Sequence, residues 1–405
     1  MQLVERHVIN QGHQDYQEID LLAFLSKNLY NIANYLIRQE FINKGKYLNY
    51  NAIQKLLQKQ ADYKSLPAKV SQQILMLLDK NWQSFFEAIK EYGKNPEKFS
   101  ARPKLPKYKD KLKGRNVLVY TVQAISKRAL TRQQLINPSQ TSLAVKTTIT
   151  YDKLAQVRIV PKLNHYAIEV VYNRLPEDRG LNKSHVAGID LGVNNLATIT
   201  SNKLGFKPII VNGKPLKSIN QFFNKSKAEL FAIIAQTTSR IQKLCTKRNF
   251  KVDDYLHKAS RFIINQLISN DMGTLIIGKN DGWKHGSHLG KRNNQNFVQL
   301  PHSRFIHQLK YKAELVGIKV ILTEESYTSK ASFLDSDTIP TYQQGIKHTF
   351  SGKRIQRGMY KSQSGKKINA DCNGSYNIIR KVVPNAFSNG IEGVVVHPAK
   401  VTLPN

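Results

Sequence analysis

The chain has 405 residues, with 62 Lys and Arg against 28 Asp and Glu, a net charge of +34 at pH 7. That length predicts two or three domains, and a positive surplus this large is costly self-repulsion unless a polyanion offsets it, so nucleic acid is the expected partner. No apolar run of about 18 residues and no signal peptide is found, which argues against a membrane partner and places the protein in the cytoplasm. Two cysteines, Cys245 and Cys372, are too few for a four-thiolate zinc site and are expected to be plain buried residues.

In chain order, "QLVERHVI" alternates as a strand does, and the apolar spacing over 20–45 fits an amphipathic helix. A second helix is predicted with Ser65 and Pro67 at its start and Val70, Ile74, Leu77, Leu78, Trp82 and Phe85 as its apolar stripe. Its other face carries Lys69, Ser71, Gln72 and Gln73, side chains able to bond base edges, although an ordinary solvated face is equally compatible. Residues 102–115, "RPKLPKYKDKLKGR", form a Pro-punctuated basic loop in which Arg102, Lys104, Lys107 and Lys109 are candidates for phosphate contacts; the alternative is a solvated linker. Strand patterns follow at "VLVYTV", "SLAVKTTITY", "AQVRIVP" and "HYAIEVVY", as in a small antiparallel barrel or sandwich.

From residue 185 the pattern becomes strands at 186–191, 196–201 and 207–212, helices over about 218–245 and 252–270, the strand "GTLIIG", a helix opened by Pro301, and the strand "KVILT". That order predicts a ribonuclease H-like α/β domain. Asp190 ends its first strand, where ligands gather in such sheets, though Asp before Gly also suits a plain turn. Glu324 and Glu325 close "KVILTEE", and Asp371 opens a helix in "INADCNGSYNII", where a dipole or capping role is the alternative. Acids from three such places suit hard cations, and a pair of Mg²⁺ ions about 3.5–4 Å apart can stabilise both oxygens of a phosphodiester displacement.

"GIDLGVNNLATIT", "YTSK" and "NADCNGSYNIIRK", in that order within a basic chain, resemble the TnpB (OrfB-type) nucleases of bacterial insertion sequences, kin to the type V CRISPR effectors. The resemblance implies a multidomain α/β architecture: a wedge-like β-barrel from 1–18 and 100–184, an inserted helical recognition domain over 19–99, a RuvC nuclease domain from 185–325 and 367–405, and a target-loading segment over 326–366. It implies DNA cleavage guided by an RNA from the transposon end, beside a short adjacent motif, on double-stranded DNA in a bacterial, nucleoid-associated setting. Asp190, Glu325 and Asp371 then become the catalytic metal ligands, with two Mg²⁺ ions as cofactor.

Two departures bear on that reading. The family's usual second acid ends the strand that here reads "TLIIG", where position 278 is Gly. Relatives of the Fanzor kind carry a displaced glutamate before "TSK", which favours Glu325 over the neighbouring Glu324. The zinc ribbon that commonly follows "TS" is also missing, because 331–366 contain no cysteine. No zinc is therefore expected, and the segment is predicted to be a mobile basic loop held, if at all, by Phe333, Leu334, Tyr342, Phe350 and Tyr360. The rival to a nuclease is a catalytically inactive, RNA-guided DNA-binding repressor of the same fold; a transposase in its own right fits the acids chemically but not the resemblance.

Overall fold

The computed structural model describes residues 1–233, 235–280, 290–388, 390–391 and 393–404. Contacts divide the chain into two compact units, Met1–Arg174 and Leu175–Asn405.

In the first unit, β1 (Gln2–Asn10) is followed by α1 (Tyr16–Lys44), α2 (Tyr50–Leu57), α3 (Ala61–Lys64) and α4 (Ala68–Lys94). Then come β2 (Leu118–Thr121), α5 (Lys127–Gln133), the short β3 (Leu135–Ile136) and β4 (Val145–Lys146), β5 (Leu154–Pro161) and β6 (His165–Asn173). Helix α1 ends at Gly45, whose φ of 65° lets its N–H reach the Phe41 carbonyl at 3.0 Å. The strands form an open antiparallel sheet in the order β1-β6-β5-β2, with β3 and β4 a separate ribbon. The expected barrel is thus not closed by pairing among the described residues. The edge strand β2 is only four residues long and is packed by α4, so helices cover a sheet that would otherwise have to curl on itself. "SLAVKTTITY", expected as a strand, contributes only two paired residues; upstream of them Ser142 N–H is bonded to Glu18 carboxylate oxygens at 3.0 and 3.1 Å. One apolar core, including Ile19, Leu29, Trp82, Tyr120 and Ile168, joins helices and sheet.

The second unit holds β7 (Val186–Leu191), β8 (Asn195–Ser201), β9 (Ile209–Asn212), α6 (Lys214–Ile233), α7 (Ser239–Ser269), β10 (Thr274–Gly278), α8 (Lys291–Gln299), α9 (His302–Glu314) and β11 (Lys319–Thr323). It continues with β12 (Lys353–Gln356), β13 (Met359–Lys361), β14 (Lys367–Asn369), α10 (Ala370–Val382) and β15 (Ala399–Val401). Its six-stranded mixed sheet runs β11-β10-β7-β8-β9-β15, with β10 parallel to both β7 and β11. Helix α7 starts at Ser239, well before the predicted 252, because Thr238 caps it by accepting from Ile241 N–H at 3.3 Å. Cys372 is buried as expected, whereas Cys245 is only half-buried.

The segment expected to be a mobile loop contains an antiparallel sheet, β12-β13-β14. Phe333 and Tyr360 are buried in a cluster with Ile368 and Tyr376, and Phe333 stacks on Tyr376 at 4.5 Å between centroids. Tyr342, expected to hold this region, is 61% exposed and does not. The chain here is pinned by side chains instead. Asp337 accepts from the N–H groups of Ser332 at 2.7 Å and Ser351 at 3.1 Å, and Asp335 from that of Gln363 at 2.8 Å. From below, Asn373 donates to the Ala331 carbonyl at 2.8 Å and accepts from Phe333 N–H at 2.9 Å. One turn further on α10, Asn377 donates to the carbonyls of Thr328 and Ala331 at 2.9 and 2.7 Å.

Candidate functional site

Strand β7 delivers Asp190 one residue before its end, opposite Thr198 of β8. Helix α10 crosses this end of the sheet, and the close approach needs Gly374: a Cβ there would lie 2.9 Å from Asp190 Oδ2. Asn369 caps α10 by accepting from the N–H groups of Asp371 and Cys372 at 3.0 and 3.2 Å, which places Asp371 in the first turn. Its carboxylate accepts from Asn195 Nδ2 at 2.6 Å and faces Arg354 Nη2 of β12 at 3.6 Å.

The two glutamates after β11 take different environments. Glu324 is 40% exposed and pairs with Lys381 of α10, and it accepts from Ser326 N–H at 2.5 Å. Burial alone would raise its carboxyl, but the hydrogen bonds from Lys381 and Ser326 outweigh that and hold it below the usual range. Glu325 turns the other way. Its N–H donates to Asn280 Oδ1 at 3.0 Å, and its Oε2 lies 2.7 Å from where a Cβ on residue 278 would stand. Since Gly278 pairs with Thr323 and the preceding Ile277 pairs with Ile189, the glutamate folds back over the strand that lies between its own and that of Asp190.

Burial, and then the neighbouring Glu324 charge, push Glu325 up to about 7. Asp190 is raised well above the usual carboxylate range, first by burial, then by the charges of Glu325 and Asp371, with Arg354 opposing. The structure therefore brings Asp190, Glu325 and Asp371 into one electrostatic neighbourhood and draws Glu324 off to a lysine. Among the described residues no three His, Cys, Asp or Glu side chains stand close enough together to enclose a metal ion as placed. The donor set nevertheless fits a hard cation: all are carboxylate oxygens, and the repulsion that lifts Asp190 is what a positive ion would relieve.

Arg354, Asn195 and Lys381 are partners that sequence reading missed. Asn195 lies in the quoted "GVNN" turn and could have been noticed; nothing local marks Arg354 or Lys381.

The proposed nucleic-acid residues lie in the other unit. Lys69 is exposed and Gln72 and Gln73 are half-exposed on α4, with Gln73 Nε2 3.4 Å from Met76 Sδ. Ser71 is a correction: it is fully buried, and its hydroxyl donates to the Tyr63 carbonyl of α3 at 2.8 Å, so it cannot read a base. Arg102, Lys104, Lys107 and Lys109 are all exposed. Their segment is clamped along α1, where Asn31 donates to the Lys109 carbonyl at 2.9 Å, and Asn34 and Arg38 donate to that of Pro106 at 3.0 and 3.1 Å. The backbone is thereby held and the cationic side chains face outward.

Residues 167–284 match the OrfB_IS605 family model, described as a probable transposase, and residues 302–378 match the Cas12f1-like TNB domain. A TnpB-like protein of Acidianus two-tailed virus is 22% identical over 443 residues, spanning 97% of this chain and 87% of the relative. A TnpB-like protein of Methanocaldococcus jannaschii is 26% identical over 160 residues, 37% of this chain and 56% of that protein. A solved Cas12f1–sgRNA–target DNA complex is similar in structure, with a TM-score of 0.55 at 15% identity, covering 90% of this chain and 83% of that one. The sheet, the helices and this likeness define a mixed α/β protein of the Cas12f type of fold. On the family models and relatives, the chain is a TnpB-type protein related to the type V effectors. No helix among the described residues is long and apolar enough to cross a membrane.

Proposed function

We propose that the chain is an RNA-guided DNA endonuclease of the RuvC type, acting in the cytoplasm and cleaving double-stranded DNA beside a short motif under the direction of a transposon-end RNA. The observation that carries this reading is that β7, the turn after β11 and α10 bring Asp190, Glu325 and Asp371 to the same end of the sheet, with Gly374 of α10 against Asp190 and Glu325 folded over Gly278 of the strand between, where the charges of Glu325 and Asp371 both act on Asp190. Two Mg²⁺ ions held by these residues would supply an activated water and charge stabilisation at the scissile phosphate. The protein's part is to present three oxygen donors from separate elements and to tie Glu324 to Lys381, so that only one of the two glutamates faces the centre. Arg354, facing Asp371, offers a guanidinium for a phosphate oxygen.

The chain's charge of +34 supports RNA and DNA partners, as does its likeness to a protein solved with both. Base pairing with the guide would select the target, and the helical region with the exposed Lys69 and the half-exposed Gln72 and Gln73 would read the adjacent motif. The place of Glu325 beside Gly278 weighs against the inactive repressor, since the strand end without an acid has one supplied from its neighbour.

The test is to express the chain with its flanking DNA, sequence the RNA that co-purifies, and challenge the complex with a matched target library and Mg²⁺. Cleavage next to one short motif is expected. Target binding without cleavage would establish the repressor instead, and absence of any bound RNA would end both.

A further inference from the structure

A cavity of about 470 Å³ opens in the first unit between α1, α4 and the basic segment. Its floor is apolar and aromatic, from Phe41, Phe85 and Ile89, and its rim carries Arg38, Arg102, Lys104 and Lys107; no carboxylate lines it. The size lies within the roughly 300–1,000 Å³ of small-ligand sites. An ordinary packing flaw would not gather four cations around an aromatic floor.

The walls are held in place. Phe41 packs edge-on against Trp82 at 5.4 Å, and Phe85 lies 5.5 Å from Phe86. Arg38 is fixed by the Pro106 carbonyl at 3.1 Å and lies 5.1 Å from the Tyr108 ring. A flat, weakly polar face against an aromatic floor with anions at the mouth describes a nucleotide, because any base offers a π-face and its phosphates seek cations.

We propose that this cavity receives one unpaired nucleobase of a nucleic-acid strand, with the adjoining phosphates on Arg102, Lys104 and Lys107. The base must be unpaired, since its face has to enter a cleft that a stacked duplex cannot present. This inference rests on the nucleic-acid reading above but names a site and a ligand that phosphate contacts by themselves would not require.

The test uses the full-length protein with single-stranded DNA and RNA probes carrying 2-aminopurine at one position, and the same probes with an abasic site there. Wild-type protein should change the 2-aminopurine fluorescence and bind the base-bearing probe about 10-fold more tightly than the abasic one. Ile89→Trp, which fills the cavity, should abolish that difference while leaving affinity for the abasic probe within about two-fold. Should Ile89→Trp fail to fold, Leu105→Trp fills the same space from the surface segment. The strand type showing the larger loss identifies RNA or DNA as the source. Equal base-to-abasic ratios in wild type and filled variants would overturn the site, whereas failure of the wild type to bind any probe would overturn the nucleic-acid reading beneath it.

Discussion

Glu325 and Gly278 are steric complements: the carboxylate oxygen occupies the space next to a backbone that has no Cβ to exclude it, 2.7 Å from where one would be. Gly278→Ala should therefore displace Glu325, cost about 1–3 kcal/mol in denaturant unfolding and reduce cleavage. Moving the acid back is harder than it looks. A Cβ at 278 would also meet Ile378 Cδ1 at 2.6 Å, so Glu325→Ala with Gly278→Glu removes only one of two collisions. Adding Ile378→Val deletes the offending methyl, and the triple variant should recover cleavage that the double variant lacks. Background rates in both would show that position 278 does not face the reacting phosphate.

Asp190→Asn, Glu325→Gln and Asp371→Asn should each lower single-turnover cleavage by about 100-fold or more, with guide and target binding little changed, because cations carry the chemistry while pairing and phosphate contacts carry affinity. Glu324→Gln should be milder, since that side chain is spent on Lys381 and Ser326. The opposite ranking of the two glutamates in a cleavage assay would reassign the ligand.

The pH response follows from the same burial. The Glu325 carboxyl stands at about 7 in the folded protein against an ordinary 4.5, so between those values the folded state binds more protons than the unfolded one. Its stability contribution is complete below 4.5 and is lost as pH rises through about 7. The melting temperature of metal-free protein should fall across that window, and Glu325→Gln should flatten the fall. Cleavage at sub-saturating Mg²⁺ should run the other way, rising with pH as the carboxyl loses its proton, because the cation takes the deprotonated acid. Lys381→Met removes a charge that holds Glu325 down, and should move the break in the rate profile to higher pH.

Much of this centre was legible because long-range order leaves local marks. An apolar strand ending on Asp190, a strand ending on two glutamates, and an acid at a helix start are each visible in the chain. The strand–helix–strand succession pointed to a ribonuclease H-like domain, in whose sheet β11 pairs in parallel with β10. What stayed hidden depends on contacts distant in sequence. Ser71 reads as a polar surface residue because nothing local announces the four-residue α3 whose carbonyl it bonds. The β12–β14 sheet has strands of three or four residues, too short and too charged to show a period of two. Strand β15 is three residues that exist as a strand only through parallel pairing with β9. The open edge of the first sheet likewise depends on where α4 packs, which periodicity does not encode.

The segment after "TSK" should keep its fold without zinc. Asp337 bridges the N–H groups of Ser332 and Ser351, and Asn373 and Asn377 hold residues 328–333 from α10, work that thiolates on a metal would otherwise do. Treatment with a zinc chelator should leave the melting temperature unchanged, whereas Asp337→Ala should cost about 2 kcal/mol through the loss of charge-assisted hydrogen bonds. A drop in melting temperature on chelation, with stoichiometric zinc released, would contradict this.

The exposed cations of residues 102–109 should act through phosphates and not through bases. Their backbone is clamped to Asn31, Asn34 and Arg38, so the lysines project from a fixed line and not from a freely moving loop. Each contact to a duplex phosphate releases about 0.9 of a counterion, so replacing Lys104, Lys107 and Lys109 together with Ala should flatten the plot of log affinity against log salt by about 2–3 for DNA, equally for all sequences. Asn34→Ala tests the clamp separately. That amide also accepts from Trp82 Nε1 at 3.1 Å, so its loss leaves a buried indole N–H without its partner and the Pro106 carbonyl with Arg38 alone, at about 1–3 kcal/mol in unfolding. If the line of charge must be rigid to match phosphate spacing, Asn34→Ala should weaken binding while every lysine is still present; unchanged affinity and salt slope would mean that charge number alone decides.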